Sequence, residues 1–240
     1  MQAAFSILTF AFYPALAVIF GGLIALWRPL KPGTVSAIQH FAAGLLFCAL
    51  ATELLPDLMH RKLPWITLIG FTLGVMIMLA VKHFAEKLGQ NTISIATTPT
   101  SLIAILGIDV ALDGLLVGLG FAAGQKQGLL LTIALTLEVL FLGLSGALAL
   151  AQAGNSRKNT LMVSIGFSLI LLIGALAGSA LLVFASDTVV DAILAFSLAA
   201  LLYLVTEELL VEAHEVPETS FQTAMFFLGF ILLLTIEMLM

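Results

Sequence analysis

Eight long apolar runs dictate what this chain can become: Phe5–Trp27, Ile38–Leu55, Leu63–Val81, Ser101–Ala123, Gly128–Ala151, Thr160–Phe184, Thr188–Val211 and Phe221–Met240. A helix of about 20 apolar residues crosses the hydrocarbon core of a bilayer. In that medium every backbone N–H and C=O must be satisfied by the protein, and an α-helix does so within a single segment. The runs therefore predict an all-α polytopic membrane protein with eight transmembrane helices. At 61% hydrophobic and 10% charged residues, against about 45–50% and ~25% in soluble domains, little sequence is left for anything else. Residues 1–240 read as a single transmembrane domain. No basic stretch or clear cleavage site marks the first run as a removed signal peptide, so it is expected to remain as a helix.

The connections set the orientation. Arg28, Lys31, Lys82, Lys87, Arg157 and Lys158 follow the first, third and fifth helices, and Arg61, Lys62 and Lys126 lie on the opposite side. Lys and Arg in short loops favour the cytoplasm, which places both termini outside a cell membrane, with a bacterial inner membrane as the expected location. The longest connection, about Lys82 to Thr100, is polar and partly Thr-rich. The net charge of −5 arises largely from acids in or beside apolar runs, so it says little about surface partners. No basic cluster points to nucleic acid. The lone Cys48 excludes an internal disulfide and is expected to pack as a small residue.

Three acids are the costly feature. Asp109 and Asp113 lie halfway along the fourth run, one helical turn apart on one face. Glu138 is the single charge of the fifth run. An acid at mid-helix costs about 2.5–3.5 kcal/mol on the insertion scale. Antiparallel packing of the fourth and fifth helices would bring all three together. Such a set does not stay ionised without a cation; otherwise it takes up protons. Carboxylate oxygens suit hard divalent cations such as Mg²⁺, Mn²⁺, Ca²⁺ or Fe²⁺, and Zn²⁺ also accepts them. The alternative is that the acids are protonated and hydrogen-bond the helices together. A second group, Glu53 and Asp57 on the second helix and Glu207, Glu208 and Glu212 on the seventh, is either a set of solvated helix ends or an auxiliary site or pathway. His214 is a further possible ligand there, whereas His40, His60 and His83 read as interfacial, and Glu237 is expected to reach the outer interface. Small residues at four-residue spacing, Gly114/Gly118, Gly120/Gly124 and Gly174/Gly178, permit close helix packing.

An internal repeat organises the whole. Phe41-Ala42-Ala43-Gly44 through Thr52-Glu53-Leu54-Leu55-Pro56-Asp57 aligns without gaps on Phe196-Ser197-Leu198-Ala199 through Glu207-Glu208-Leu209-Leu210-Val211-Glu212, and the same offset carries Phe71-Thr72-Leu73-Gly74 onto Phe226-Phe227-Leu228-Gly229. Helices two and three thus match helices seven and eight. Because the shift is five helices, an odd number, the copies have opposite orientation. Inverted repeats are a transporter feature, with substrate sites near the midplane between them. No Ser/His/Asp ordering, phosphate loop or His-Glu-x-x-His motif is present. Two aspartates on one helix are not the opposed pair of an aspartyl protease, so no enzyme is expected.

On these residues the chain resembles the ZIP (Zrt/Irt-like) family of divalent metal transporters over nearly its full length. The likeness rests on Phe41-Ala42-Ala43-Gly44 with Glu53-Leu54-Leu55-Pro56, and on Leu201-Leu202-Tyr203 with Glu207-Glu208-Leu209-Leu210. It implies inverted three-helix repeats (1–3 and 6–8) around helices 4 and 5. The family's fourth helix carries His-Asn-x-Pro-Glu-Gly, and here Asp109 stands at the His and Asp113 at the Glu, followed by Gly114. In the fifth helix Glu138 stands at the His and Leu142 at the Glu, with Gly143 retained; Leu171 replaces a sixth-helix Glu. The resemblance implies a single all-carboxylate metal site of Asp109, Asp113 and Glu138, with Glu53, Glu207, Glu208 and Glu212 as auxiliary or pathway residues. The expected activity is alternating-access transport of Zn²⁺, Mn²⁺ or Fe²⁺, the metal being substrate and no cofactor being required. A proton-linked transporter of another substrate and a non-transporting ZIP-like sensor remain as alternatives. The expected partners are the metal ion and the bilayer, with a homodimer left open.

The orientation is directly testable. In a Cys48→Ser background, a membrane-impermeant maleimide added to intact cells should label Gln127→Cys and spare Ser156→Cys until the membrane is opened. The opposite pattern would invert the assignment.

Overall fold

The computed structural model describes residues 2–27, 31–90, 99–123, 125–182, 186–217 and 219–239. Arg28, the Thr-rich segment 91–98, Gly124, the run ends at Phe184 and Met240, and the side chain of Lys126 lie outside the described residues. Each apolar run falls on a helix: α1 (Gln2–Trp27), α2 (Pro32–Ala49, continued through Leu50–Leu54 and Leu55–Arg61), α3 (Pro64–Gln90), α4 (Pro99–Ala123), α5 (Gln125–Gln152), α6 (Arg157–Leu182), α7 (Asp187–Tyr203, continued through Leu204–Leu209 and Leu210–Ala213) and α8 (Ser220–Leu239). No strand occurs among the described residues. Seven of these helices are long and apolar enough to cross a membrane; α4, which carries the two aspartates, is the eighth helix. The chain is a multi-pass membrane protein.

The helices outrun the apolar runs that predicted them. The connection expected over Lys82 to Thr100 is shorter, because α3 continues to Gln90. Lys82-His83-Phe84-Ala85-Glu86-Lys87-Leu88 holds no helix breaker, and the backbone keeps its ladder where hydropathy falls. Likewise α2 starts at Pro32, a proline being tolerated in the first turn, and passes through Pro56 to Arg61. A proline inside a helix lacks its N–H and crowds the preceding turn. Here a π-helical turn, Leu50–Leu54, comes just before it, and the Leu55 N–H donates to the Leu50 carbonyl five residues back. A second π turn, Leu204–Leu209, interrupts α7 at nearly the same alignment position with no proline to require it. Such turns are concentrated at functional sites, and the two contain Glu53 in α2 and Glu207 and Glu208 in α7.

The helices form two groups, α1/α4/α5/α6 and α2/α3/α7/α8. Glycines set the closest approaches within both. A Cβ on Gly114 or Gly118 would overlap the carbonyl oxygens of Leu171 or Ala175 on α6, and one on Gly178 would overlap that of Leu115 on α4. Gly21 of α1 and Gly143 of α5 meet Leu140 and Val18 in the same reciprocal way. In the second group Gly229 of α8 lies against the Phe41 carbonyl of α2, and Gly74 of α3 against Phe196 of α7. The sequence repeat, which pairs Phe41 with Phe196 and Gly74 with Gly229, carries one of these contacts onto the other. Within the second group α2 and α7 cross antiparallel: Ser36 donates to the Ala213 carbonyl at 2.6 Å and Gln39 to Glu212 at 2.7 Å. The two groups meet where α2 packs on α5 and where α4 touches α3 and α7. The most apolar stretches of α3 and α8 are only 17% buried, against 67% for α2 and 61% for α7. The outward-facing Leu68, Ile69, Leu73, Phe227, Leu228 and Ile231 are therefore the lipid-facing surface.

The glycine seams predict a contrast. Gly118→Leu must push α4 from α6 and should destabilise the protein by about 1–3 kcal/mol or more, as overpacking does. Gly166→Leu, on α6 with nothing within 4 Å of its Cβ position, should melt like the wild type in detergent.

Candidate metal site

Antiparallel α4 and α5 place the three midspan acids together. One carboxylate oxygen from each of Asp109, Asp113 and Glu138 lies within 4.8 Å of the other two. Asp113 is 0% and Glu138 3% exposed. Both oxygens of Asp113 and Oε2 of Glu138 have no nitrogen or hydroxyl donor among the described residues, and the two carboxyl groups lie within hydrogen-bonding reach of each other. Buried polar atoms nearly always have partners, and bare acceptors converging on one point leave a place for a cation. The register is fixed locally. One turn separates Asp109 from Asp113, and Gly114 lets α4 press on α6, which turns both aspartates towards α5.

A cavity of about 650 Å³ adjoins the site, lined by Asp109, Glu138, Ser145, Gln39, Tyr203, Glu208, Glu212 and Glu215, with the half-exposed Lys82 and Glu207 at its mouth. Glu208 stands within side-chain hydrogen-bonding reach of Asp109, so the second helix group adds a carboxylate to a site carried by the first. Glu212 accepts from Gln39, and Glu207 pairs with Lys82 at 3.2 Å. Of the auxiliary acids expected from sequence, Glu207, Glu208 and Glu212 thus line the cavity. Glu53 is buried on α2 and absent from the cavity lining. Asp57 pairs with Arg61 at 3.4 Å.

Several side chains sit differently from what hydropathy alone suggests. His40 is buried: it is 3% exposed, its Nδ1 lies 2.8 Å from the Ser36 carbonyl oxygen, and its ring packs against His214, centroids 5.2 Å apart. The α2–α7 crossing covers it, although its position near the start of an apolar run suggested a boundary. Glu237 lies half-buried beside Cys48 because α8 runs parallel along α2. Lys82, counted as a loop charge, is part of α3 and lines the cavity. Gln39, Ser145 and Tyr203 were not singled out. A polar residue early in an apolar run was the available signal for Gln39, and helix direction alone does not give the facing of the others. Cys48 is fully buried, as expected of a packed small residue.

A polytopic helical protein with a largely buried acid triad beside an acid-lined cavity has the form of a cation carrier. The sequence model of the family described as ZIP Zinc transporter matches residues 84–237, well over half of the chain and including every acid of the cavity. The chain belongs to this family of metal transporters. No curated protein matches it.

Neutralising the triad gives a thermodynamic test. Ionised carboxylates this close repel by about 3–4 kcal/mol per pair at an effective dielectric constant near 20. Asp113→Asn should therefore raise the melting temperature of the metal-free protein while abolishing the rise that added Mn²⁺ or Zn²⁺ produces in the wild type.

Proposed function

We propose that this protein carries a divalent metal cation across the membrane, with Asp109, Asp113 and Glu138 as its ligands and residues 1–240 acting as one transport unit. The observation that carries the reading is the convergence of these three carboxylates, Asp113 and Glu138 buried and Asp109 partly so, beside an acid-lined cavity that Asp109 and Glu138 line. A dication binding there offsets the mutual repulsion that otherwise burdens the fold. The all-oxygen donor set favours Mn²⁺, Fe²⁺ or Mg²⁺, and Zn²⁺ remains within its range.

Alternating access follows from the division into two helix groups. The triad lies on α4 and α5 of one group, and Glu208, Glu212 and Gln39 lie on α2 and α7 of the other. Relative movement of the groups separates Asp109 from Glu208 and transfers the opening to the opposite face. The reading of α1–α3 and α6–α8 as inverted repeats is supported by the paired contacts Gly229–Phe41 and Gly74–Phe196 and by the near-equivalent π turns. By the Lys and Arg distribution the open mouth faces the cytoplasm. The arrangement is then an inward-facing state, and the metal travels inward along Glu208 and Glu212.

In proteoliposomes, Asp109→Ala, Asp113→Ala and Glu138→Ala should each lower metal uptake by about tenfold or more, a loss that even outer-sphere partners of a metal cause. Competition among Zn²⁺, Mn²⁺, Fe²⁺ and Mg²⁺ identifies the cargo. Unchanged uptake in all three variants would refute the site, and uptake driven by a pH gradient without any divalent metal would refute the cargo.

A further inference from the structure

The mouth of the cavity holds a cation of its own. Among the described residues lining it, Lys82 is the only base, set against Asp109, Glu138, Glu207, Glu208, Glu212 and Glu215. Its Nζ lies 3.2 Å from Glu207 Oε2 and 6.0 Å from the centre of the Tyr203 ring. Glu208, the next residue along, is close enough to feel the Lys82 charge and also reaches Asp109. Glu208 therefore stands between the triad and the ammonium group. We infer that Lys82 is a tethered competitor for the metal: by occupying the Glu207–Glu208 carboxylates at the cavity mouth, it stops them from trapping a dication that has left the triad, and so speeds release.

This inference rests on the metal-carrier reading above. Its physical content is the difference between two adjacent carboxylates with and without a counter-ion. Free of Lys82, Glu207 and Glu208, with Glu212 one turn beyond Glu208, would be an anionic patch directly in the exit path and would retain a hard dication. With the ammonium present, the metal must displace a charge already in place. The Lys82–Glu207 pair suits exchange rather than locking, since both side chains are nearly half exposed, at 45% and 49%. Exposed pairs are worth little net energy, and a lysine carries its charge on a flexible four-carbon stem. The device is one-sided. At the offset of the internal repeat, the position matching Lys82 is Glu237, and that matching Glu207 is Thr52. A base at the cavity mouth, with an acid at the repeat-equivalent position beside Cys48, would favour release at the Lys82 end.

The experiment uses the full chain as wild type, Lys82→Met, Lys82→Arg and the double variant Lys82→Met/Glu207→Gln. Mn²⁺ and Zn²⁺ binding is titrated in detergent, and uptake of both is measured in proteoliposomes. Lys82→Met should bind metal severalfold more tightly or with an additional equivalent, and should show a lower KM together with a lower maximal rate. Lys82→Arg should behave as wild type. The double variant should recover most of the rate, because the trap has been removed with its guard. Wild-type stoichiometry and KM in Lys82→Met would overturn the inference while leaving the carrier reading intact, even if that variant were less stable. A wild type that neither binds nor carries metal would overturn the carrier reading, and this inference with it.

Discussion

The mutual repulsion of three carboxylates packed into one helix seam is the interaction on which the rest of this structure depends. Asp109, Asp113 and Glu138 approach within 4.8 Å of one another, two of them almost fully buried. Each would cost about 2.5–3.5 kcal/mol merely to place at the centre of a membrane helix. Bringing them together adds to that cost unless positive charge joins them. A fold that keeps such a cluster must supply both a rigid frame, so that the acids cannot turn away, and a route by which a cation reaches them.

The frame comes from glycine. Along α4–α6 and α1–α5, backbones meet so closely that any side chain at Gly114, Gly118, Gly178, Gly21 or Gly143 would strike a carbonyl oxygen. Lipid offers no hydrophobic drive for helices to associate, so van der Waals contact of this kind does much of the work. The route comes from the other group. Its α7 is widened by a π turn at Glu207 and Glu208, which brings Glu208 to Asp109 and Glu207 to Lys82. One group thus holds the charge cluster, and the other adds most of the acids that line the cavity beside it.

Much of this was legible in the sequence, for physical reasons. Hydropathy finds spanning helices because transfer of side chains into lipid dominates their energetics, and all eight runs fall on helices. The acid triad was visible because a charge in an apolar run is conspicuous, and a short connection between α4 and α5 forces them antiparallel. What escaped is what hydropathy does not measure. The extension of α3 to Gln90 reflects backbone hydrogen bonding beyond the apolar stretch. The π turns depend on how α2 and α7 pack, and only the one before Pro56 has a sequence cue. The burial of His40 follows from the α2–α7 crossing, and the role of Lys82 as a cavity residue follows from the direction of its side chain relative to α7. The ZIP match over residues 84–237 gives the class, whereas the proposed metal preference rests on the carboxylates of Asp109, Asp113 and Glu138.

The central claim is that one divalent cation sits among Asp109, Asp113 and Glu138. The most direct measurement is a crystal structure of the zinc-soaked full chain with anomalous scattering recorded at the zinc edge. The account predicts one principal peak between α4 and α5, with carboxylate oxygens of all three residues at about 2.0–2.2 Å, the usual Zn–O distance. A principal peak elsewhere, for instance at His40 and His214, with the three carboxylates bare, would contradict it.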